Sequence, residues 1–147
     1  MKMVDVSAKE RTERVAIATA RLRMQPATVE RIRSGKVEKG DVLAAARLAG
    51  VMAAKRTPDL VPLCHPIALT GVTVEVTLDD GGASVRTEVK TLDRTGVEME
   101  ALTAAMAAAL TIYDMVKSVD RGMVIEAVQL EHKAGGRTGT WDRGTAG

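Results

Sequence analysis

The candidates for chemistry are the charged residues on one long apolar segment, 97–118, which consists mainly of Ala, Leu, Met and Thr. Its first turn carries Glu98 and Glu100, and Asp114 and Lys117 lie near its end. A buried charge is unfavourable unless it is paired or used. A helix C-terminus also disfavours a negative charge. Lys117 lies three residues after Asp114 and can pair with it on the same helix face. We interpret this pair as an acid–base site, because pairing explains how Asp114 is tolerated but not why it is there.

The two acids near the start of this segment have structural explanations of their own. Thr95-Gly-Val-Glu98 has the form of a capping box, which predicts that Thr95 caps the helix and Glu98 returns a bond to it. Glu100 has two interpretations: it is an acid in the first turn, where the helix dipole favours negative charge, or it serves the site. Glu100 and Asp114 are fourteen positions apart, which is about 21 Å along a helix. If both serve one site, a long ligand or a second subunit must bridge that distance.

A second candidate is Leu63-Cys64-His65-Pro66, which we expect to line a pocket. It belongs to the segment 59–66, which has three prolines counting Pro58 and is predicted to be irregular and stiff rather than helical. Each residue also has a plainer interpretation, Cys64 as a small buried apolar side chain and His65 as a hydrogen-bonded structural residue. A Cys/His nucleophile pair is a weaker alternative, since such partners normally meet in space. With one cysteine and two histidines, we expect neither an intramolecular disulfide nor a zinc site.

Basic residues form the third group, and singly each is most often a solvated charge. Lys39 stands before Gly40-Asp41, where a helix start could help to hold an anion. Together the group suggests a polyphosphate ligand. Its members are Arg14, Lys39, Lys55, Arg56, Lys117 and Lys133.

The elements that must position these residues follow from hydrophobic periodicity and turn residues. Their order is strand, two helices, two strands, helix, strand, which predicts an α+β fold with a ferredoxin-like antiparallel sheet and helices packed on one face. We expect strands over 14–24, 67–77, 84–92 and 123–133, helices over 26–35, 42–56 and 97–118, and a hairpin turn at 79–82. The 147 residues predict a single domain, 1–147, with mobile ends at 1–10 and 135–147.

Composition narrows the function classes. Lys and Arg number 21 against 19 Asp and Glu, so the charge predicts neither nucleic-acid nor membrane binding. One Trp, one Tyr and no Phe disfavour a module that stacks on single-stranded bases. Charges interrupt the apolar runs and the start lacks the apolar core of a signal peptide, so we expect a cytoplasmic protein.

Six motifs together resemble the cyclic pyranopterin monophosphate synthase family, the C-type accessory proteins of molybdenum-cofactor biosynthesis. The resemblance extends from Met3 to about Gly139. The motifs are Met3-Val-Asp-Val-Ser-Ala-Lys9, Lys39-Gly-Asp-Val, Ala53-Ala-Lys-Arg-Thr57, Leu63-Cys-His-Pro66, Thr95-Gly-Val-Glu-Met-Glu-Ala-Leu-Thr103 and Leu110-Thr-Ile-Tyr-Asp-Met115.

The resemblance implies a lyase that converts the cyclised dihydro-GTP intermediate to cyclic pyranopterin monophosphate and releases pyrophosphate. It implies a ferredoxin-like subunit in a hexamer of three dimers, with the active site at a subunit interface. No resident cofactor or metal is implied, and whether Mg²⁺ accompanies the triphosphate is left open.

The resemblance also assigns roles to residues. Asp114 and Lys117 match the catalytic pair. Leu63, Cys64 and His65 match one substrate-binding segment, and Met99 with Glu100 match another. The basic residues that it places around the ligand are Arg14, Lys39, Lys55 and Lys133.

Two other classes of function are compatible with such a sheet. A ligand-sensing regulatory module would bind a small molecule without converting it. A structural assembly protein would leave the Asp114/Lys117 pair unexplained.

Overall fold

The computed structural model describes residues 1–144 as a sheet covered by helices. The strands run antiparallel in the order β2-β3-β1-β4-β5, and the first four have the ferredoxin-like arrangement, which confirms the predicted α+β class. The strands are β1 (Thr12–Arg23), β2 (Leu69–Asp79), β3 (Gly82–Asp93), β4 (Val124–Ala134) and β5 (Trp141–Asp142). The helices are α1 (Pro26–Arg33), α2 (Val42–Lys55), α3 (Thr57–Leu60) and α4 (Glu98–Val116).

Two elements were not predicted. Thr57–Leu60 forms the short helix α3, so the prediction that the segment 59–66 is not helical is wrong for its first two residues. Pro58 lies in the first turn of this helix, where the missing N–H is tolerated. Trp141–Asp142 pairs with β4 as the edge strand β5. The single domain with mobile ends stays a prediction, and its last three positions, 145–147, lie outside the described residues.

The core lies between the sheet and α4, and it is made of small side chains on both surfaces. Alternate residues of β1 face the helices, as expected for a strand with one buried face. Alanines on both sides let the helix lie close to the sheet, and the hydroxyl of Thr87 donates to the carbonyl of Ala101 at 2.7 Å. The fully buried residues here include Ala16, Ala18, Leu22, Ala101, Ala104, Ala105 and Ala108.

Helix α2 packs against α4 in the opposite direction. A Cβ atom on Gly50 of α2 would lie 3.2 Å from the carbonyl oxygen of Ala104, so the two backbones are in close contact there. Lys39, which precedes α2, reaches Asp114 near the end of α4. The start of α2 therefore lies at the C-terminal end of α4. The segment that follows α2 lies at the N-terminal end of α4.

The predicted cap of α2 is confirmed, because the Asp41 carboxylate accepts a bond from the Ala44 N–H at 3.0 Å. The predicted capping box of α4 is wrong. The helix begins at Glu98 and its cap position is Val97, which makes no side-chain bond. Val97 is fully buried, and this burial places the helix start two residues later than a Thr95 cap requires. The Glu98 carboxylate instead folds back over Gly96.

Within residues 1–144, α4 is the one helix long and apolar enough to cross a membrane by length and composition. No such run was expected from the sequence, because charged residues interrupt its apolar segments. Core helices pass the same test, and the buried alanines of α4 pack against the sheet.

Candidate active site

The C-terminal end of α4 carries a Lys–Asp–Lys cluster. The Lys117 Nζ atom lies 2.9 Å from Oδ1 of Asp114, which confirms the predicted i,i+3 pair. The Lys39 Nζ atom lies 3.0 Å from Oδ2 and also donates to the backbone carbonyl of Asp114 at 3.1 Å. The antiparallel packing of α2 on α4 thus brings together three residues from two of the predicted groups.

This cluster is open to solvent in a single chain. The side chain of Asp114 is 52% exposed and those of the two lysines are similar, so the expectation of buried charge was wrong for Asp114 and Lys117. Hydrogen bonds from Lys117 and then Lys39 hold the pKa of Asp114 below its usual value. Asp114 is therefore a carboxylate at neutral pH and can accept a proton, and the two ammonium groups offset the unfavourable end of the helix dipole.

The buried acid of α4 is Glu100, which is 2% exposed. Its Oε2 atom accepts a bond from the Cys64 thiol at 3.5 Å, and its Oε1 atom has no hydrogen-bond partner within residues 1–144. Burial raises the pKa of the carboxyl group, since the charged form loses its hydration. A favourable helix dipole alone does not account for a first-turn acid that is this deeply buried.

Cys64 and His65 do not pair with each other. Burial, together with the nearby Glu100, raises the pKa of the Cys64 thiol to about 11, so the residue is a thiol rather than a nucleophilic thiolate at neutral pH. The Nε2 atom of His65 lies 2.6 Å from the carbonyl oxygen of Val4. Cys64 is therefore not an activated nucleophile in this arrangement, and the lining of a pocket by Leu63, Cys64 and His65 stays a prediction. Leu63, which precedes Cys64, and Met99, which precedes Glu100, are each about two-fifths exposed.

Arg14 and Lys133 line a cavity of about 470 Å³ beside the first turn of α4. Glu98 of that turn also lines the cavity. Arg14 is nine-tenths buried and donates to the carbonyl groups of Asp93 and Arg94. Lys133 donates to the hydroxyl of Thr138.

Lys55 is the last residue of α2 and is exposed. This end of α2 lies beside the first turn of α4. The cavity next to Arg14 also brings in Lys9 and Arg137, to which the sequence analysis gave no role. The signal that could have indicated Arg137 is the preceding Gly135-Gly136, a pair that permits a tight turn.

The structure thus separates the predicted site residues into two groups at opposite ends of α4. Glu100 and Asp114 remain about 21 Å apart along the helix, so one chain does not assemble them into one compact site. Lys39, Asp114 and Lys117 form the C-terminal group. The N-terminal group contains Arg14, Lys55, Leu63, Cys64, His65, Met99, Glu100 and Lys133. Within residues 1–144, no three His, Cys, Asp or Glu side chains gather in a way that could hold a metal ion.

The fold and the two clusters define a small α+β protein equipped for acid–base chemistry on an anionic ligand. The chain belongs to the MoaC family, which it matches over residues 3–136.

Similar curated proteins carry one name, "Cyclic pyranopterin monophosphate synthase". The protein from Thermomicrobium roseum is 56% identical over 97% of this chain and 87% of its own length. The Streptomyces avermitilis protein is 54% identical over 97% of this chain and 84% of its own length. A protein from Roseiflexus is 56% identical over 94% of this chain and 89% of its own.

Proposed function

We propose that this chain converts 3′,8-cyclo-7,8-dihydro-GTP to cyclic pyranopterin monophosphate and releases pyrophosphate. The lyase class and the place in molybdenum cofactor biosynthesis follow from the family and from the relatives of that name. The structural observation that carries the proposal is the Asp114 carboxylate held between two lysine ammonium groups.

In this proposal Asp114 and Lys117 transfer protons while the rings rearrange. Asp114 is ionised and can accept a proton, and the Lys117 ammonium can donate one. Lys39 fixes the orientation of the carboxylate through one hydrogen bond to Oδ2 and one to the backbone carbonyl of the same residue.

The other basic residues act on the phosphates. A hydroxyl oxygen of the ligand gives up its proton and bonds to the α-phosphorus, and the P–O bond from that phosphorus to the β-phosphate breaks. Pyrophosphate departs with added negative charge, and Arg14, Lys55 and Lys133 stabilise it as point charges. His65 orients the ligand and Cys64 forms a wall. No resident cofactor is required in this scheme, and Mg²⁺ would accompany the triphosphate as part of the substrate.

We further propose that a second copy completes each site. Large apolar side chains on the outer face of the helix layer are exposed, with Met106 at 51% and Leu110 at 61% on α4, and Leu48 and Met52 one turn apart on α2. Contiguous exposed apolar residues of this kind mark association surfaces.

The position of this surface agrees with a shared site. Residue 107, next to Met106, is the midpoint between Glu100 and Asp114 on α4. A two-fold axis at that level, with the two copies of α4 antiparallel, would place the N-terminal group of one chain beside the C-terminal group of its partner. Three such dimers would form the hexamer that the resemblance implies, in the cytoplasm.

The test is incubation of the purified protein with the cyclised GTP intermediate, followed by detection of the pyranopterin product and of pyrophosphate. We expect both products in equal amounts. A ligand-sensing module would bind the intermediate and release neither product, which would overturn the proposal. An Asp114→Asn variant, folded but inactive, controls for a contaminating enzyme.

A further inference from the structure

Asp120, in the turn that follows α4, is a buried carboxylate to which the proposed mechanism gives no role. It is 6% exposed, and its Oδ2 atom accepts hydrogen bonds from the Gln25 N–H and the Thr28 hydroxyl, both at 2.9 Å. Burial of a carboxylate is tolerated where such bonds replace its hydration. The donors belong to the start of α1, where the helix dipole also favours negative charge. Gln25 at the cap position makes no side-chain cap bond, so this helix start is held by a carboxylate 95 positions away along the chain.

The C-terminal end of α4 is not closed by a glycine. Helices often end on a glycine in the left-handed region, but here Lys117 at the cap position keeps helical angles of φ −58° and ψ −26°. Ser118 and Val119 follow it, and the N–H of Val119 donates to the carbonyl of Val116 at 3.1 Å. Terminal turns of this kind fray, because the last carbonyl groups of a helix have no partner within it. The backbone position of Lys117 therefore depends on contacts that hold the turn from outside.

Two side chains supply such contacts to the turn 117–122. Asp120 joins it to the start of α1, and the Tyr113 hydroxyl of α4 donates to the carbonyl of Arg121 at 2.9 Å. The start of α1 is itself fixed to the sheet, since the N–H of Met24, between β1 and α1, donates to the carbonyl of Gly81 at 2.9 Å. The turn is thus anchored to the sheet through a residue only three positions after Lys117.

We propose that Asp120 is a positioning residue for Lys117. The Lys117 Nζ atom lies 2.9 Å from Oδ1 of Asp114 at the end of a long, flexible side chain, so this contact is kept only while the turn is fixed. Lys39 reaches the other carboxylate oxygen from the start of α2 and does not depend on the turn. Loosening the turn would therefore remove one of the two ammonium groups from Asp114 and leave the other in place. The effect on catalysis rests on the proposed function, whereas the effect on the ion pair does not.

Kinetics with the cyclised GTP intermediate test the effect on catalysis. Asp120→Ala removes both hydrogen bonds, and we expect kcat to fall by about tenfold to a hundredfold, because a displacement of about 1 Å in a catalytic group has an effect of this order. KM should change little, since the basic residues proposed to hold the phosphates belong to the N-terminal group. Asp120→Asn keeps an oxygen acceptor in the same place and should retain most of the turnover. Thr28→Val removes one of the two bonds and should lower kcat by a smaller factor, and it replaces Asp120→Ala as the test if that chain does not fold.

Asp79→Ala is the matched control, because it removes a hydrogen-bonded aspartate from a different turn. Asp79 accepts bonds from Arg21 at 2.7 Å and from the Gly81 N–H at 2.8 Å, and these hold the β2–β3 turn. Its loss should lower the melting temperature but leave kcat unchanged. Equal kcat in Asp120→Ala and the unmodified chain would overturn the proposal. Losses of kcat in Asp79→Ala or in Asp120→Asn as large as in Asp120→Ala would also contradict it, because they would indicate general destabilisation or a role other than hydrogen bonding.

The ion pair has a readout that needs no turnover. Acetylation of Lys117 by an amine-reactive ester is followed by mass spectrometry in the ligand-free protein. Lys90 is the internal reference, since it is 60% exposed and lies 3.5 Å from Glu88. An ammonium group held by a carboxylate is less free to react, so Asp114→Asn gives the faster rate that Lys117 has without its partner. Asp120→Ala should raise the rate at Lys117 several times towards that value and Asp120→Asn should not, and an unchanged rate in Asp120→Ala would overturn the proposal.

The two measurements separate the positioning role from the proposed function. Faster acetylation of Lys117 in Asp120→Ala, with no product from the unmodified chain, would retain the positioning role and reject the function. Product from the unmodified chain, with unchanged acetylation and unchanged kcat in Asp120→Ala, would do the reverse.

Discussion

Replacing the buried Glu100 by glutamine should change how stability depends on pH. Glutamine keeps the size of the side chain but cannot ionise. In the folded chain burial raises the pKa of Glu100 from its ordinary 4.5, whereas in the unfolded chain the carboxyl group is in water. Between these two pKa values the folded state holds a proton that the unfolded state has lost. The contribution of Glu100 to the free energy of unfolding must therefore fall as pH rises through this interval.

The magnitude follows from proton linkage. One proton of difference changes the free energy of unfolding by about 1.4 kcal/mol per pH unit. The free energy of unfolding of the Glu100→Gln variant minus that of the unmodified chain should therefore increase as pH rises from 4.5. The increase per pH unit should be at most the value given above for one proton. It should level off above the pKa of Glu100 in the folded chain. Other carboxylates, such as Asp114, cancel in this difference.

The assay is urea unfolding followed by circular dichroism from pH 4.5 to 8, at one protein concentration because the chain is proposed to associate. A Glu75→Gln variant, at an exposed glutamate of β2, controls for the substitution itself. A difference between Glu100→Gln and the unmodified chain that stays constant over this range would refute the account of Glu100.

Three further predictions concern single sites. Asp114→Asn and Lys117→Ala should each abolish turnover, as an activity assay would show. Each should lower the free energy of unfolding by less than about 1 kcal/mol in urea unfolding, because exposed ion pairs stabilise a fold only slightly. Cys64, with a thiol pKa of about 11, should react with iodoacetamide at pH 8 far more slowly than a free thiol; comparable rates would contradict its burial. Gly50→Leu should destabilise the fold by more than about 1 kcal/mol, because even its Cβ atom would lie 2.8 Å from Val74, and an unchanged melting temperature would contradict the close packing.

The fold was predictable where local patterns and turn residues agree. The Asp41 cap and the turn at 79–82 are formed as expected, because short-range bonds determine both. The start of α4 was not predictable in this way, because burial of Val97 outweighs the capping preference of Thr95. The strand β5 was missed because two residues are too few to show an alternation of buried and exposed side chains. The contacts that hold it come from another strand, for example from His132 of β4.

The site was predictable in its residue types but not in its burial. An apolar helix composition suggested that all its charges were buried, yet Asp114 lies on a face that leaves it half exposed and Glu100 on one that encloses it. Sequence spacing gives their distance along the helix, but it does not say which face is covered. The contact of Lys39 with Asp114 depends on helix packing over 75 positions of sequence and needed the structure.

In the proposed dimer each copy of α4 contributes to two active sites, and subunit complementation is the direct test of this sharing. Glu100→Ala and Asp114→Asn chains, each folded and inactive alone, are mixed in equal amounts and allowed to exchange subunits. Random pairing makes half of the dimers mixed, and each mixed dimer has one of two sites intact. The account predicts recovery of about one quarter of the unmodified turnover. No recovery after exchange has been verified, for example by mass spectrometry of tagged chains, would contradict it.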